Sequence, residues 1–166
     1  MVGTDAPEIV ALWNKQLTVP NTIWQYSSAI TEEILARILK QARIVILKSD
    51  GQAKGFGIWR GNNMVGIVAR DKSEFFAILK VICEDQAGQE MFLVTNGADS
   101  TEIDWCLAAG MELPTVDIGY KPLSEEACCD KTEEEICAIR TPWIRHMTGS
   151  FDQMKSCIEA YLSMVG

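Results

Sequence analysis

"MFLVTNGADSTEIDWCLAAGMEL", residues 91–113, is an apolar run broken at Thr95-Asn96-Gly97 and resumed at helical spacing as far as Gly110. Met91 to Val94 form a short continuous apolar stretch, the pattern of a strand covered on both faces. Asn96-Gly97 interrupts it, because both residues tolerate turn conformations that others avoid. Asp99 or Ser100 can cap a helix whose positive end Glu102 favours, with Ile103, Trp105, Cys106 and Leu107 supplying the inward face. Gly110 stands where a left-handed C-cap is required. The unit is strand, tight turn, short helix and glycine stop, and any α/β protein can contain one.

Working outward, Asp5 and Pro7 open a first helix with Ile9, Val10, Trp13 and Leu17 on one face, ending near residues 18–20. A polar, aromatic segment carrying Trp24 and Tyr26 follows. Thr31, with Glu32 and Glu33, then starts a second helix that turns Ile34, Leu35, Ile38 and Leu39 inward. Residues 43–71 hold two hairpin signals, Asp50-Gly51 and Gly61-Asn62-Asn63, so three consecutive antiparallel strands are expected. A helix over 72–83 buries Phe75, Phe76, Leu79 and Ile82. Beyond Gly110, "TVDIGYKPL" reads as a strand. An acidic stretch through Glu133 to Glu135 reads as solvated. Ser150 and Gln153 form a capping box for a last helix striped by Met154, Cys157, Ile158, Tyr161 and Leu162.

At 166 residues and 48% hydrophobic, the chain is long enough for one well-filled core, so a single domain over 1–166 is expected. Its net charge of -8 disfavours general nucleic-acid or anionic-membrane binding. The start, "MVGTDAPEIV", carries no secretory pattern, and no apolar stretch approaches the length of a membrane span; a cytoplasmic protein is expected. The six cysteines, at 83, 106, 128, 129, 137 and 157, contain no C-x-x-C pair, and His146 is the single histidine. Reduced thiols and no metal site are the expectation. Trp143 lies among Arg140, Arg145 and His146, a set suited either to an anionic or planar ligand or to a packed surface tryptophan.

The order helix, helix, three antiparallel strands, helix, strand, helix, strand resembles the GNAT superfamily of acyl-CoA-dependent N-acyltransferases. "DAPEIVALWN" is similar to the first helix of these enzymes, "SDGQAKGFGIWR" to their second and third strands, and "LVTNGADSTEIDWCLAAGM" to the strand, Asn and helix that close on Gly-Phe. The resemblance implies one α+β domain with a mixed, mostly antiparallel sheet flanked by helices, and a C-terminal strand and helix extension over 133–166. It further implies a sheet that splays between residues 65–69 and 91–96. Acetyl-CoA or another acyl-CoA would lay its pantetheine arm in the gap, against the backbone of Ile67, Val68 and Ala69 and beside Asn96. Trp24 and Tyr26 would wall the pocket of a small-molecule or protein amine acceptor, and the resemblance leaves room for a homodimer.

Two positions depart from the family pattern. The phosphate-cradling turn, Q/R-x-x-G-x-G/A in the family, here reads Arg70-Asp71-Lys72-Ser73-Glu74-Phe75. Arg70, Lys72 and Ser73 remain candidates for cofactor contact, but Ser73 and Phe75 replace the small residues. Phe75 is expected to crowd the turn, and Asp71 with Glu74 can form a capping box that occupies the amides a phosphate needs. Where many members carry a Tyr acid, this chain has Cys106; a thiol of ordinary pKa about 8.5 can donate a proton, and a helix-face Cys can equally be packing. Two functions therefore stand open: an N-acyltransferase, or a catalytically inactive protein of the same fold acting as a binding or assembly module.

Overall fold

The computed structural model describes residues 5–16, 29–95, 100–112 and 145–166. Helix α1 spans Ala6–Gln16 and α2 Glu32–Ile38. Strands β1 (Arg43–Ser49), β2 (Gln52–Arg60) and β3 (Asn63–Val68) follow, then α3 (Lys72–Asp85), β4 (Glu90–Thr95), α4 (Ser100–Ala108), β5 (Arg145–Ser150) and α5 (Phe151–Val165). The sheet has five strands in the order β1-β2-β3-β4-β5. All neighbours are antiparallel except β3 and β4, which run parallel. This is the single mixed α+β sheet that the sequence predicts.

Both hairpins close where their turn residues stand. Asp50 (φ 54°) and Gly51 (φ 77°) both take the positive φ that a two-residue type I′ turn needs, and Ser49 pairs with Gln52 across it. Gly61 (φ 57°) turns the second hairpin, with Arg60 opposite Asn63, so Asn63 is the first residue of β3 and not part of the turn.

Two apolar layers cover the sheet. On one face α1 and α2 bring Ile9, Trp13 and Leu35 against Phe56, Ile58 and Val68, with the Trp13 and Phe56 rings stacked at 6.1 Å and 9°. On the other, α3, α4 and α5 bring Phe75, Phe76, Leu79, Ile82, Cys106, Met154 and Ile158 against Met64, Ile67, Met91 and Leu93. Thr31 caps α2 as expected, its Oγ1 accepting from Ile34 N at 3.3 Å. The glycine-methionine ending of α4 is a Schellman motif: Met111 N donates to Cys106 O and Gly110 N to Leu107 O, each at 3.0 Å, with Gly110 at φ 86°. The chain then crosses to β5, where Glu112 bridges Thr148.

Four expectations are corrected. Strand β4 is not covered on both faces: Met91 and Leu93 are buried but Phe92 is 41% exposed, because α1 and α2 pack over β1 to β3 on that side. Ile34 and Leu107 are exposed, so the inward stripes of α2 and α4 are narrower than their apolar content suggests and rest on Leu35, Cys106 and Ala109. Ser150 occupies the N-cap of α5 without a side-chain hydrogen bond; the backbone holds that corner through Phe151 N to Gln89 O at 3.0 Å, and Asp152 Oδ1 accepts from Gly88 N at 3.2 Å. Phe75 does not crowd its turn: its ring is 2% exposed and packs inward against Phe76 and Trp105 at 6.3 and 5.6 Å. The "TVDIGYKPL" strand, Glu133 to Glu135, Cys128, Cys129, Cys137, Arg140 and Trp143 lie outside the described residues.

Candidate functional site

Strands β3 and β4 share one parallel pair, Asn63 with Phe92, with Phe92 N donating to Asn62 O at 2.9 Å. Each strand is otherwise fully engaged on its far side. Ile67 and Val68 pair with Gly57 and Phe56 of β2, while β4 pairs with β5 over Glu90 to Thr95. The sheet therefore stays closed at one end of β3 and has no β3–β4 pair beyond Asn63 toward Val68. A splay is expected between residues 65–69 and 91–96; the missing pairing is consistent with it, and Asn96 lies outside the described residues. Ile67 and Val68 are buried in opposite layers, so their side chains anchor the strand and leave its main chain at the opening. Ala69 follows the strand and packs partly against the α3 layer.

The turn from Ala69 into α3 follows the Val68 end of β3, and Arg70, Asp71 and Glu74 in it are bonded to one another. Asp71 is the N-cap, its Oδ1 accepting from Glu74 N at 2.9 Å. Glu74 turns back onto Arg70: Oε2 accepts from Arg70 N at 2.9 Å, and Oε1 accepts from Arg70 Nε at 2.8 Å and from its Nη2. A capping box returns to the N-cap amide itself. Here the glutamate reaches one residue further and also takes the guanidinium. Glu74's side chain is 11% exposed while that of Arg70 is 63% exposed, so the carboxylate is the sheltered partner. The hydrogen bond from Glu74, followed by its charge, pushes the Arg70 pKa up and holds the guanidinium cationic.

Lys72 turns away from the same turn. Its Nζ lies 5.4 Å from the Phe76 ring centroid and 4.7 Å from that of Tyr161 on α5, two rings that meet edge to face at 4.8 Å. Ser73 is an exposed residue of the first turn of α3. The candidates Arg70, Lys72 and Ser73 are thus adjacent in space, with both cations directed to partners of the chain itself.

Cys106 sits on α4 at 0% exposure within the α3–α5 layer. Burial first, and then the charge of Glu102, push its thiol well up. In this setting it fills the core. Cys83 is likewise buried and pushed up to about 12, chiefly by burial and further by Glu84 and Asp152. Cys83, Cys106 and Cys157 are all unpaired. Asn96, Trp24 and Tyr26 lie outside the described residues.

Sequence reading missed Asn14. From α1 it clamps Ile30, the residue before the Thr31 N-cap of α2: Nδ2 donates to Ile30 O at 3.0 Å, and Oδ1 accepts from Ile30 N at 2.9 Å. An Asn inside a helix, where its propensity is poor, is the signal that pointed to such a role. The i, i+4 spacing of Arg70 and Glu74 likewise announced their pairing.

No family model and no curated protein matches the sequence. Solved structures do. A ribosomal-protein-alanine N-acetyltransferase from Brucella melitensis superposes with a TM-score of 0.64 at 12% identity, over 89% of this chain and 94% of that one. The ribosomal-protein-S18-alanine N-acetyltransferase of Escherichia coli gives 0.59 at 13% identity, over 88% and 87%. A GNAT superfamily phosphinothricin acetyltransferase from Sinorhizobium meliloti, solved in complex with AcCoA, gives 0.61 at 17% identity, over 89% and 84%. The chain has the GNAT N-acyltransferase fold. Among the described residues no helix is long and apolar enough to cross a membrane.

Proposed function

We propose that this chain is an N-acyltransferase that moves an acetyl or other acyl group from a pantetheine thioester, acetyl-CoA or a related acyl-CoA, to an amine. The observation that carries the reading is the parting of β3 from β4 after the single pair Asn63–Phe92, in a sheet of GNAT topology. Main chain at Ile67, Val68 and Ala69 has no partner on β4, and an extended arm with amide groups would add to β3 there as a short strand does. Asn96, at the end of β4, would stand on the other side of the arm.

The chemistry needs little from side chains. The lone pair of a neutral amine attacks the thioester carbonyl, the tetrahedral intermediate collapses with cleavage of the C–S bond, and the departing thiolate takes up a proton as the ammonium loses one. No covalent enzyme intermediate forms. Holding the two reactants in line supplies the larger part of such an acceleration. The acceptor would enter beside the segment between α1 and α2, with Trp24 and Tyr26 as its wall. Two of the structural neighbours are named for a ribosomal-protein alanine and one for phosphinothricin, which supports an amine of a protein or of a small molecule as acceptor. We place the protein in the cytoplasm, consistent with the unpaired state of Cys83, Cys106 and Cys157.

A second reading, a non-catalytic binding or assembly module, is favoured by the self-satisfied turn at Arg70 to Glu74. Thiol release distinguishes the two. Purified protein is mixed with S-acetyl-pantetheine or acetyl-CoA and a panel of small amines and peptides with free N-termini, and free thiol is followed. Amine-dependent thiol release supports the acyltransferase. Thioester binding by calorimetry without thiol release for any acceptor class supports the module.

A further inference from the structure

Both cationic side chains at the start of α3, and two of its backbone amides, already have partners within the chain. The Arg70 amide and guanidinium are held by the Glu74 carboxylate, the Glu74 amide by Asp71, and the Lys72 ammonium by the rings of Phe76 and Tyr161. Glu74 puts a sheltered anion where a donor phosphate would otherwise accept those hydrogen bonds. The net charge of -8 adds a further penalty for a polyanionic ligand.

We propose that Glu74 is a specificity-determining residue that fills the diphosphate seat from within, so that this site selects its thioester donor by the uncharged pantetheine arm and not by the nucleotide. The inference rests on the reading of the β3–β4 opening as the donor site. A diphosphate approaching the turn meets the Glu74 carboxylate and must displace its three bonds to Arg70 before that amide and guanidinium can donate to it. An arm lying along Ile67 to Ala69 meets no such competitor. Removing the negative charge at Glu74 takes away the anion that opposes a diphosphate and weakens the hold on the Arg70 guanidinium, without touching the arm.

Calorimetric titration of the full chain and of Glu74→Gln with acetyl-CoA and with S-acetyl-pantetheine tests this. The wild type is expected to bind the two ligands within about threefold of one another. Glu74→Gln is expected to tighten acetyl-CoA at least about tenfold while leaving S-acetyl-pantetheine within about twofold. A wild type that binds acetyl-CoA about a hundredfold more tightly than S-acetyl-pantetheine overturns the inference and leaves the donor site standing. So does a substitution that strengthens both ligands equally, since Glu74 would then act on the opening and not on the diphosphate. If neither ligand binds either protein, the donor-site reading falls and takes the inference with it. The wild-type comparison decides the matter by itself should Glu74→Gln fail to fold.

Discussion

Asp71 holds the first turn of α3 by accepting from Glu74 N at 2.9 Å, a single charge-assisted bond at a helix N-terminus. Asp71→Ala should cost about 1 kcal/mol of stability, as loss of an N-cap does, measured as a shift of the urea midpoint at constant m. The buried thiols make a second residue-scale prediction. Burial raises the Cys83 pKa from an ordinary 9.0 to about 12 in the folded chain, and the shift at Cys106 has the same direction. Between those limits the unfolded chain has lost protons that the folded chain still binds. Stability from these groups is therefore complete below about pH 9 and is lost as pH rises toward 12. Unfolding free energy should fall by at most about 1.4 kcal/mol per pH unit for each thiol over that window. Cys83→Ala should flatten the slope; an unchanged slope in denaturant titrations at pH 8 to 11 would contradict it. Under native conditions a thiol reagent should modify the half-buried Cys157 well before Cys83 or Cys106.

At the scale of elements, β2 is fixed by contacts that leave no room for a side chain at two of its glycines. A Cβ at Gly55 would lie 2.5 Å from the backbone oxygen of Val68, and one at Gly57 would lie 2.5 Å from Ile78 Cγ2. Gly55→Ala has to displace β3 itself, whereas Gly57→Ala asks only that side chains of α3 shift. Each should destabilise by roughly 1–3 kcal/mol, Gly55→Ala more, as chemical denaturation would measure. The elements with their own local signal were legible in the sequence. The two hairpins announce themselves through Asp50-Gly51 and Gly61-Asn62, α2 through Thr31, and the α4 stop through Gly110-Met111, since each rests on backbone chemistry within four residues. Exposure was harder to read. Phe92, Ile34 and Leu107 are apolar yet exposed, because which face of an element is covered depends on where distant helices come to rest. Strand β5 is the extreme case: "RHMTGS" has one large apolar residue, Met147, and becomes a strand through its six pairs with β4. The candidate site divides in the same way. The Asp71 cap and its competition with phosphate follow from spacing, while the inward turn of Phe75 and the reach of Glu74 to Arg70 depend on what α3 packs against.

Over the whole molecule, two apolar layers clamp a sheet that is continuous except along one seam. The seam lies between β3, which is held by β2, and β4, which is held by β5, so the two halves can stand apart without leaving either strand unpaired on its far side. Helix α3 packs over β1 and β2, and the rings of Phe76 and Tyr161 around Lys72 tie that helix to α5. The proposed donor site lies along that seam, and its amides report on it directly. The decisive measurement is the amide spectrum and hydrogen exchange of the isotope-labelled protein on titration with S-acetyl-pantetheine. Shifts and slowed exchange concentrated at Ile67, Val68 and Ala69 and along β4 are predicted, with α1 and α2 little changed. Perturbation confined to other surfaces, or no perturbation at millimolar ligand, would contradict a donor site between β3 and β4.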